Sequence, residues 1–262
     1  MSAEKENIVV LTGNRPAPIV SGNVYSDLLS DKYQLVFIEE QKKGSGFFHF
    51  YGHFYEKYGL LRMIDVLLWH IYSKYFAKQR FVNRKYQSQV VCDINDPKVI
   101  DQIVGLKPKY IVASGCSMIK GENIRQFKCP IINLHNAITP RYRNAGVFWS
   151  IFEGNFDLVG STIHFIDEGI DTGERISIYC VDWKEKNIPL EYLPLHTSSE
   201  GARLLSEYIL YNKQVIPQHC QNIESRYYPC NGLSHFLIAK KKYREYLSAG
   251  FFRNGGKDEE RE

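Results

Sequence analysis

Apolar positions fall into short unbroken runs and longer periodic stretches that alternate along the chain. "NIVVLTG" at 7–13 is an apolar run closed by a glycine, and "YQLVFIEE" at 33–40 is a second; both read as buried strands. Between them "GNVYSDLLSD" predicts a short helix, and the Gly-flanked aromatic stretch "GSGFFHFYG" at 44–52 predicts a loop. Over 54–76 the apolar residues recur at intervals of three and four. This is the pattern of one long amphipathic helix whose aromatic-rich face packs into the core. "SQVVCD" at 88–93 is a third strand. "NDPKVIDQIVGL" then carries a helix start, with Asn95 or Asp96 as N-cap and Pro97 at the first helical position. "KYIVASG" at 109–115 and "CPIINLH" at 129–135 are further strands, joined by an "IKGENIRQF" connection. "NAGVFWSIFEGN" predicts a helix ending at Gly154, "LVGSTIHFID" and "RISIYCVD" predict strands, and "SSEGARLLSEYILYN" predicts a helix opening at Ser198 or Ser199.

Strands separated by helices predict an α/β fold: a doubly wound, mostly parallel sheet with helices on both faces. The catalytic core spans 1–210 in this reading. A small C-terminal extension follows at 211–262, its last stretch frayed and partly disordered. The aromatics of "SRYYPCNGLSHFLIAKKKYREYL" either cover the core or build a homodimer interface; packing is the ordinary role of aromatics at helical spacing.

Composition changes this picture little. The 262 residues are 44% hydrophobic and 24% charged, and the formal charge of +4 is not the footprint of a nucleic-acid binder. The basic "AKKKYREY" at 239–246 reads as a solvated helix face. The N-terminus lacks a signal-peptide pattern, and no stretch approaches the roughly 18 apolar residues of a membrane span. Six scattered cysteines show no CxxC pair and no zinc spacing, so no metal is expected, and a reduced, cytoplasmic protein is.

The candidate chemistry lies in "IINLHNAITPRYRNAG" at 131–146, where an apolar run stops in polar groups. In open α/β sheets ligands bind beyond the carboxyl ends of the strands. Asn133 and His135 stand two apart near such an end, so they share a face. "STIHFIDEGIDTGERI" ends another strand in Asp167, Glu168 and Asp171, between Gly169 and Gly173. A carboxylate can orient an imidazole, and an Asn amide can donate to a developing oxyanion, so the three side-chain types suit attack of an amine on a carbonyl carbon.

"NLHNAITPRYRNAGVFWSIFEGN" followed by "GSTIHFIDEGIDTGERI" resembles the 10-formyltetrahydrofolate-dependent formyltransferases, most closely over about 108–182 and more loosely from 7 to about 210. The resemblance implies a Rossmann-like core and a formyl donor, 10-formyltetrahydrofolate. It places the family's catalytic residues on Asn133, which polarises the formyl oxygen, His135, which carries the proton, and Asp171, which orients His135. It implies a pterin pocket between 113–119 and 165–171, involving Ser114, Gly115, Met118, Ile119, Ile166, Asp167 and Gly169, with backbone groups dominant. Where many members have Arg-Gly, this chain has Arg143-Asn144, and Asn tolerates a left-handed turn.

The first strand ends "TGNRPAP", without the phosphate loop of glycinamide ribonucleotide formyltransferases and without GxGxxG. The segment after Tyr211 is shorter than the barrel domain of methionyl-tRNA formyltransferases. The overall size is similar to that of the nucleotide-linked amino-sugar N-formyltransferases. This implies an acceptor such as a dTDP- or GDP-linked amino-dideoxy sugar for a surface glycan of the lipopolysaccharide O-antigen type. Arg15, Arg141 and Arg143 are then candidate diphosphate partners and Tyr142 a sugar contact. A hydroxyornithine acceptor and a catalytically silent folate- or nucleotide-binding module are the alternatives.

Overall fold

A computed structural model describes residues 5–41, 46–75, 82–183 and 188–254. In chain order the elements are β1 (Asn7–Gly13), α1 (Pro16–Leu29), β2 (Gln34–Glu40), α2 (Gly46–Tyr58), α3 (Leu60–Tyr75), β3 (Ser88–Val91), α4 (Pro97–Gly105), β4 (Tyr110–Ser114) and α5 (Gly121–Ile124). They continue with β5 (Ile131–His135), α6 (Phe148–Glu153), β6 (Gly160–Phe165), β7 (Arg175–Cys180), α7 (Leu193–Tyr211) and α8 (Leu233–Asn254). The strands form a single sheet in the order β3-β2-β1-β4-β5-β6-β7. The pairings from β3 to β5 are parallel, and β6 and β7 are antiparallel additions at one edge.

Alternation along β1 separates two cores. Ile8 and Val10 join Tyr25 and Leu29 of α1 and Ala202, Leu205 and Ile209 of α7 on one face. Val9 and Leu11 join Ile38, Val99, Ile103 and Ile131 on the other, which α4 covers. A run apolar on both sides, as this one is, is what a central parallel strand requires. α8 and α3 cover a third cluster: Phe236, Ala239 and Tyr243 are buried against Phe148 and Ile151, and Trp69 packs on Phe236 with ring centroids 4.9 Å apart. The aromatic C-terminal stretch therefore covers the core, and the aromatic face of α3 is packing as expected. Lys240 of the basic run is held by Glu191 at 2.6 Å, and Lys242 donates to the Phe152 carbonyl at 2.6 Å. Among the described residues no helix is long and apolar enough to cross a membrane.

Several expected boundaries differ. The loop expected at 44–52 is helical from Gly46, while Gly44 and Ser45 lie outside the described residues. The single helix expected over 54–76 is two, because Gly59 at φ +81° breaks the ladder between Tyr58 and Leu60; Phe76 lies outside the described residues. The first helix starts at Pro16, six residues earlier than its apolar pattern, since proline suits the first helical turn. α7 begins at Leu193, with Ser198 buried inside it rather than capping it. At α4 the choice resolves to Asp96, which accepts from the Lys98 amide at 2.9 Å. Gly154, at φ +84°, terminates α6 as expected. The terminal stretch expected to fray lies, from residue 255, outside the described residues.

Candidate active site

The site stands at the carboxyl ends of β4 and β5. Pairing of β5 with β6 sets Asn133 opposite His164 and His135 opposite Thr162. The antiparallel turn from β6 to β7 then carries Asp171 back over this edge. Asp171 takes φ +51°, a conformation costly for most side chains but accessible to Asp and Asn. Gly173 lies close against the Phe165 carbonyl, where a Cβ has no room.

Asp171 is the hub. Its Oδ2 accepts from the Asn144 amide at 2.8 Å and lies 3.5 Å from His135 Nδ1. Its Oδ1 accepts from Asn133 Nδ2 at 3.4 Å and lies 3.5 Å from His164 Nε2. Burial pushes the Asp171 carboxyl up. His135, His164 and the Asn144 amide outweigh it and hold the group well below the ordinary carboxylate range. Asn144 reaches this position at φ +57°, the left-handed turn anticipated for an Asn there.

The imidazoles are oriented by carbonyls, which can only accept. His135 Nε2 donates to the Tyr142 carbonyl at 2.9 Å, which turns Nδ1 toward Asp171. His164 Nδ1 donates to the Phe165 carbonyl at 2.8 Å, so its Nε2 receives Asn133 Nδ2 at 3.1 Å. His164 is almost fully buried, and nothing in the sequence pattern singles it out. The signal for it is pairing: only the β5–β6 register sets it beside Asn133.

The loops after β4 and β6 meet. Ile119 and Ile166 share one apolar cluster, Arg125 Nη1 donates to Glu168 Oε1 at 2.5 Å, and Ile166 N donates to the Ile131 carbonyl at 2.8 Å. Gly115 is left-handed at φ +70° and packs on Pro18, while Met118 presents an exposed thioether. Ser114 is buried, its hydroxyl 2.7 Å from that of Ser21, so only its backbone is available to a ligand. Asp167 Oδ1 is taken up within its own loop by the Gly169 amide and the Thr172 hydroxyl.

The four residues expected at an acceptor are not brought together. Tyr142 is fully buried and donates its hydroxyl to Glu153 at 3.0 Å, so its ring cannot lie beside a sugar. Arg141 is held by Glu153 and Glu224, each at 3.2 Å. Arg143 has a buried Nε without a partner; its backbone N–H donates to the Arg226 carbonyl and its carbonyl accepts from the Tyr228 amide, in a bridge opposite Tyr227. Arg15 is exposed at the start of α1, whose N-terminus has no side-chain cap. Its guanidinium is near enough to His70 to reinforce what burial does to that imidazole, lowering its affinity for a proton. A cleft of about 370 Å³ beside Asp171 is lined by Thr139, Pro140, Thr172, Gly173, Glu174, Arg175 and Ile216.

Residues 69–183 match the model of the Formyl transferase family. The methionyl-tRNA formyltransferase of Campylobacter jejuni subsp. jejuni serotype O:6 is 26% identical over 179 residues, which are 64% of this chain and 56% of that protein. The chain thus spans about half the length of the curated relatives it matches. Among solved structures, a sugar N-formyltransferase from Shewanella sp FDAARGOS_354 superposes over 90% of this chain and 87% of its own, with a TM-score of 0.53 at 14% identity. Glycinamide ribonucleotide transformylase 1 from Symbiobacterium toebii covers 86% and 94%, with a TM-score of 0.51 at 16% identity. At these identities the likeness is one of fold.

Proposed function

We infer that this chain, whose residues 69–183 match the Formyl transferase family model, is an N-formyltransferase using 10-formyltetrahydrofolate. The observation that carries the reading is the convergence of Asn133, His135 and Asp171 at the carboxyl ends of the strands. The donor fits the residues present. The backbone of 114–119 and 166–169 and the Met118 side chain would hold its pterin, between two loops that are already packed together.

Bound there, the donor supplies the formyl carbon. The chain's own part is to polarise, orient and move a proton. Asn133 Nδ2 is held to Asp171 by a long 3.4 Å contact, so its hydrogen can turn to an oxygen that gains charge. The 3.5 Å gap between His135 Nδ1 and Asp171 Oδ2 exceeds a hydrogen bond. That leaves Nδ1 to take the proton of an incoming amine, while the carboxylate stabilises the imidazolium that results. His164 keeps Asn133 and Asp171 in register.

The acceptor in this reading is the amine of a nucleotide-linked amino-dideoxy sugar. Exposed Arg15 at the start of α1 supports it, since a guanidinium suits a diphosphate; Pro16 and Pro18 leave few backbone N–H groups there, so the side chain carries the contact. The test follows tetrahydrofolate release with a panel of dTDP- and GDP-linked 3-amino and 4-amino sugars, hydroxyornithine and charged initiator tRNA. Turnover with a nucleotide-sugar is expected. Turnover with hydroxyornithine or tRNA alone refutes the acceptor and keeps the chemistry, and folate binding without any turnover refutes both.

A further inference from the structure

Away from this site, three metal-ligating side chains meet at the open edge of the sheet. Cys180 ends β7, the edge strand. The chain returns to that edge after α7: Ile178 N donates to the Val215 carbonyl at 2.7 Å, and Val215 N donates to Ser177 Oγ at 3.0 Å. A 3₁₀ turn at Gln218–Cys220 follows and delivers two adjacent donors, His219 and Cys220. Cys180 Sγ lies 3.5 Å from His219 Nε2 and 3.6 Å from Cys220 Sγ, and the three atoms all fall within 4.8 Å of one another.

The two separations from Cys180 Sγ match edges of a coordination tetrahedron. Metal–sulfur bonds of about 2.3 Å and a metal–nitrogen bond of about 2.05 Å imply a sulfur–sulfur edge of about 3.8 Å and a sulfur–nitrogen edge of about 3.5 Å. Two thiols and an imidazole are a soft donor set, which favours zinc-class ions over magnesium or calcium. Burial is graded, from Cys220 at 0% exposure through half-buried Cys180 to exposed His219, so an ion can approach from solvent. The turn is also braced, because Arg175 donates to the Cys220 carbonyl at 2.6 Å and to the Gln221 carbonyl at 2.9 Å.

We propose that Cys180, His219 and Cys220 form a binding site for a thiophilic divalent cation of the zinc class, with a fourth position left to solvent. Binding converts both thiols to thiolates and releases two protons. It pins residues 215–221 to β7 and so fixes Ile216 and Arg175, which help line the cleft beside Asp171. The site is independent of the formyltransferase reading.

The experiment titrates the reduced, metal-free full chain with Zn²⁺ against a chromophoric chelator, and with Co²⁺ for its spectrum. One equivalent of Zn²⁺, two protons released, and a thiolate-to-cobalt charge-transfer band with tetrahedral d–d bands are expected. His219→Ala, at an exposed side chain that the fold does not need, should weaken Zn²⁺ binding about tenfold or more. Cys180→Ser should weaken it further and diminish the charge-transfer band. Wild-type affinity and stoichiometry in His219→Ala overturn the proposal, and so does a cobalt complex without the sulfur band. A Cys180–Cys220 disulfide persisting under the reducing conditions, seen as a two-hydrogen mass loss, also overturns it.

Discussion

Asp171→Asn isolates the charge of the hub from its shape. The side chain is isosteric, and Asn tolerates the φ of +51° as well as Asp does, so the fold should survive. What is lost is the negative charge 3.5 Å from His135 Nδ1, in a pair whose side chains are each 12% exposed. At that separation and an effective dielectric of about 20, a unit-charge pair is worth roughly 5 kcal/mol. Part of this is recovered by the amide dipole, so kcat should fall between about a hundredfold and ten-thousandfold. Steady-state release of tetrahydrofolate measures it. A second reading comes from pH. The folded Asp171 carboxyl is held well below its unfolded value, so its contribution to stability is full above about pH 4 and is lost as pH falls toward the folded value. The variant lacks this contribution, and its denaturation midpoint should fall less steeply than the wild type's between about pH 4 and pH 2. A kcat within threefold of wild type, or an identical acid profile, refutes the assignment of Asp171 as electrostatic hub.

Three other substitutions probe the frame around the site. Glu153 accepts from Tyr142, Arg141, Arg226 and Tyr228, binding the 140–143 loop to the C-terminal segment; Glu153→Ala should cost about 3 kcal/mol in urea denaturation, and a loss under 1 kcal/mol contradicts that role. A Cβ at Gly201 presses on Leu134 Cδ1 and Ser161 Oγ, so Gly201→Ala should destabilise by about 1–3 kcal/mol and lower Tm by several degrees; an unchanged melt counts against rigid packing of α7 on β5. Arg15→Ala should raise KM for a nucleotide-sugar with little change in KM for the folate, and an unchanged acceptor KM removes Arg15 from that site.

The pattern of apolar runs was enough to place β1, β2, β4 and β5, because a strand buried on both faces writes itself as an unbroken hydrophobic stretch. Helix breaks were harder. The periodicity of residues 54–76 continues through Gly59, and the interruption depends on a left-handed backbone that periodicity does not register. His164 was invisible for a related reason: its meaning comes from the strand beside it. Tyr142 and Arg141 read as ligand contacts because they sit in a polar loop, yet Glu153 and a segment some 85 residues later claim them. Cys180 and His219 were scattered in sequence and are neighbours only through the Val215 pairing on β7.

The sequence by itself determined the layer architecture, the strand-end position of Asn133 and His135, and the residue types of the chemistry, since these depend on local periodicity and on side-chain inventory. Tertiary structure alone decided which groups those residues face. Strand order and register bring together atoms from β5, the β6–β7 turn and the C-terminal segment, and hydrogen bonds form between groups that are near in space whatever their separation along the chain.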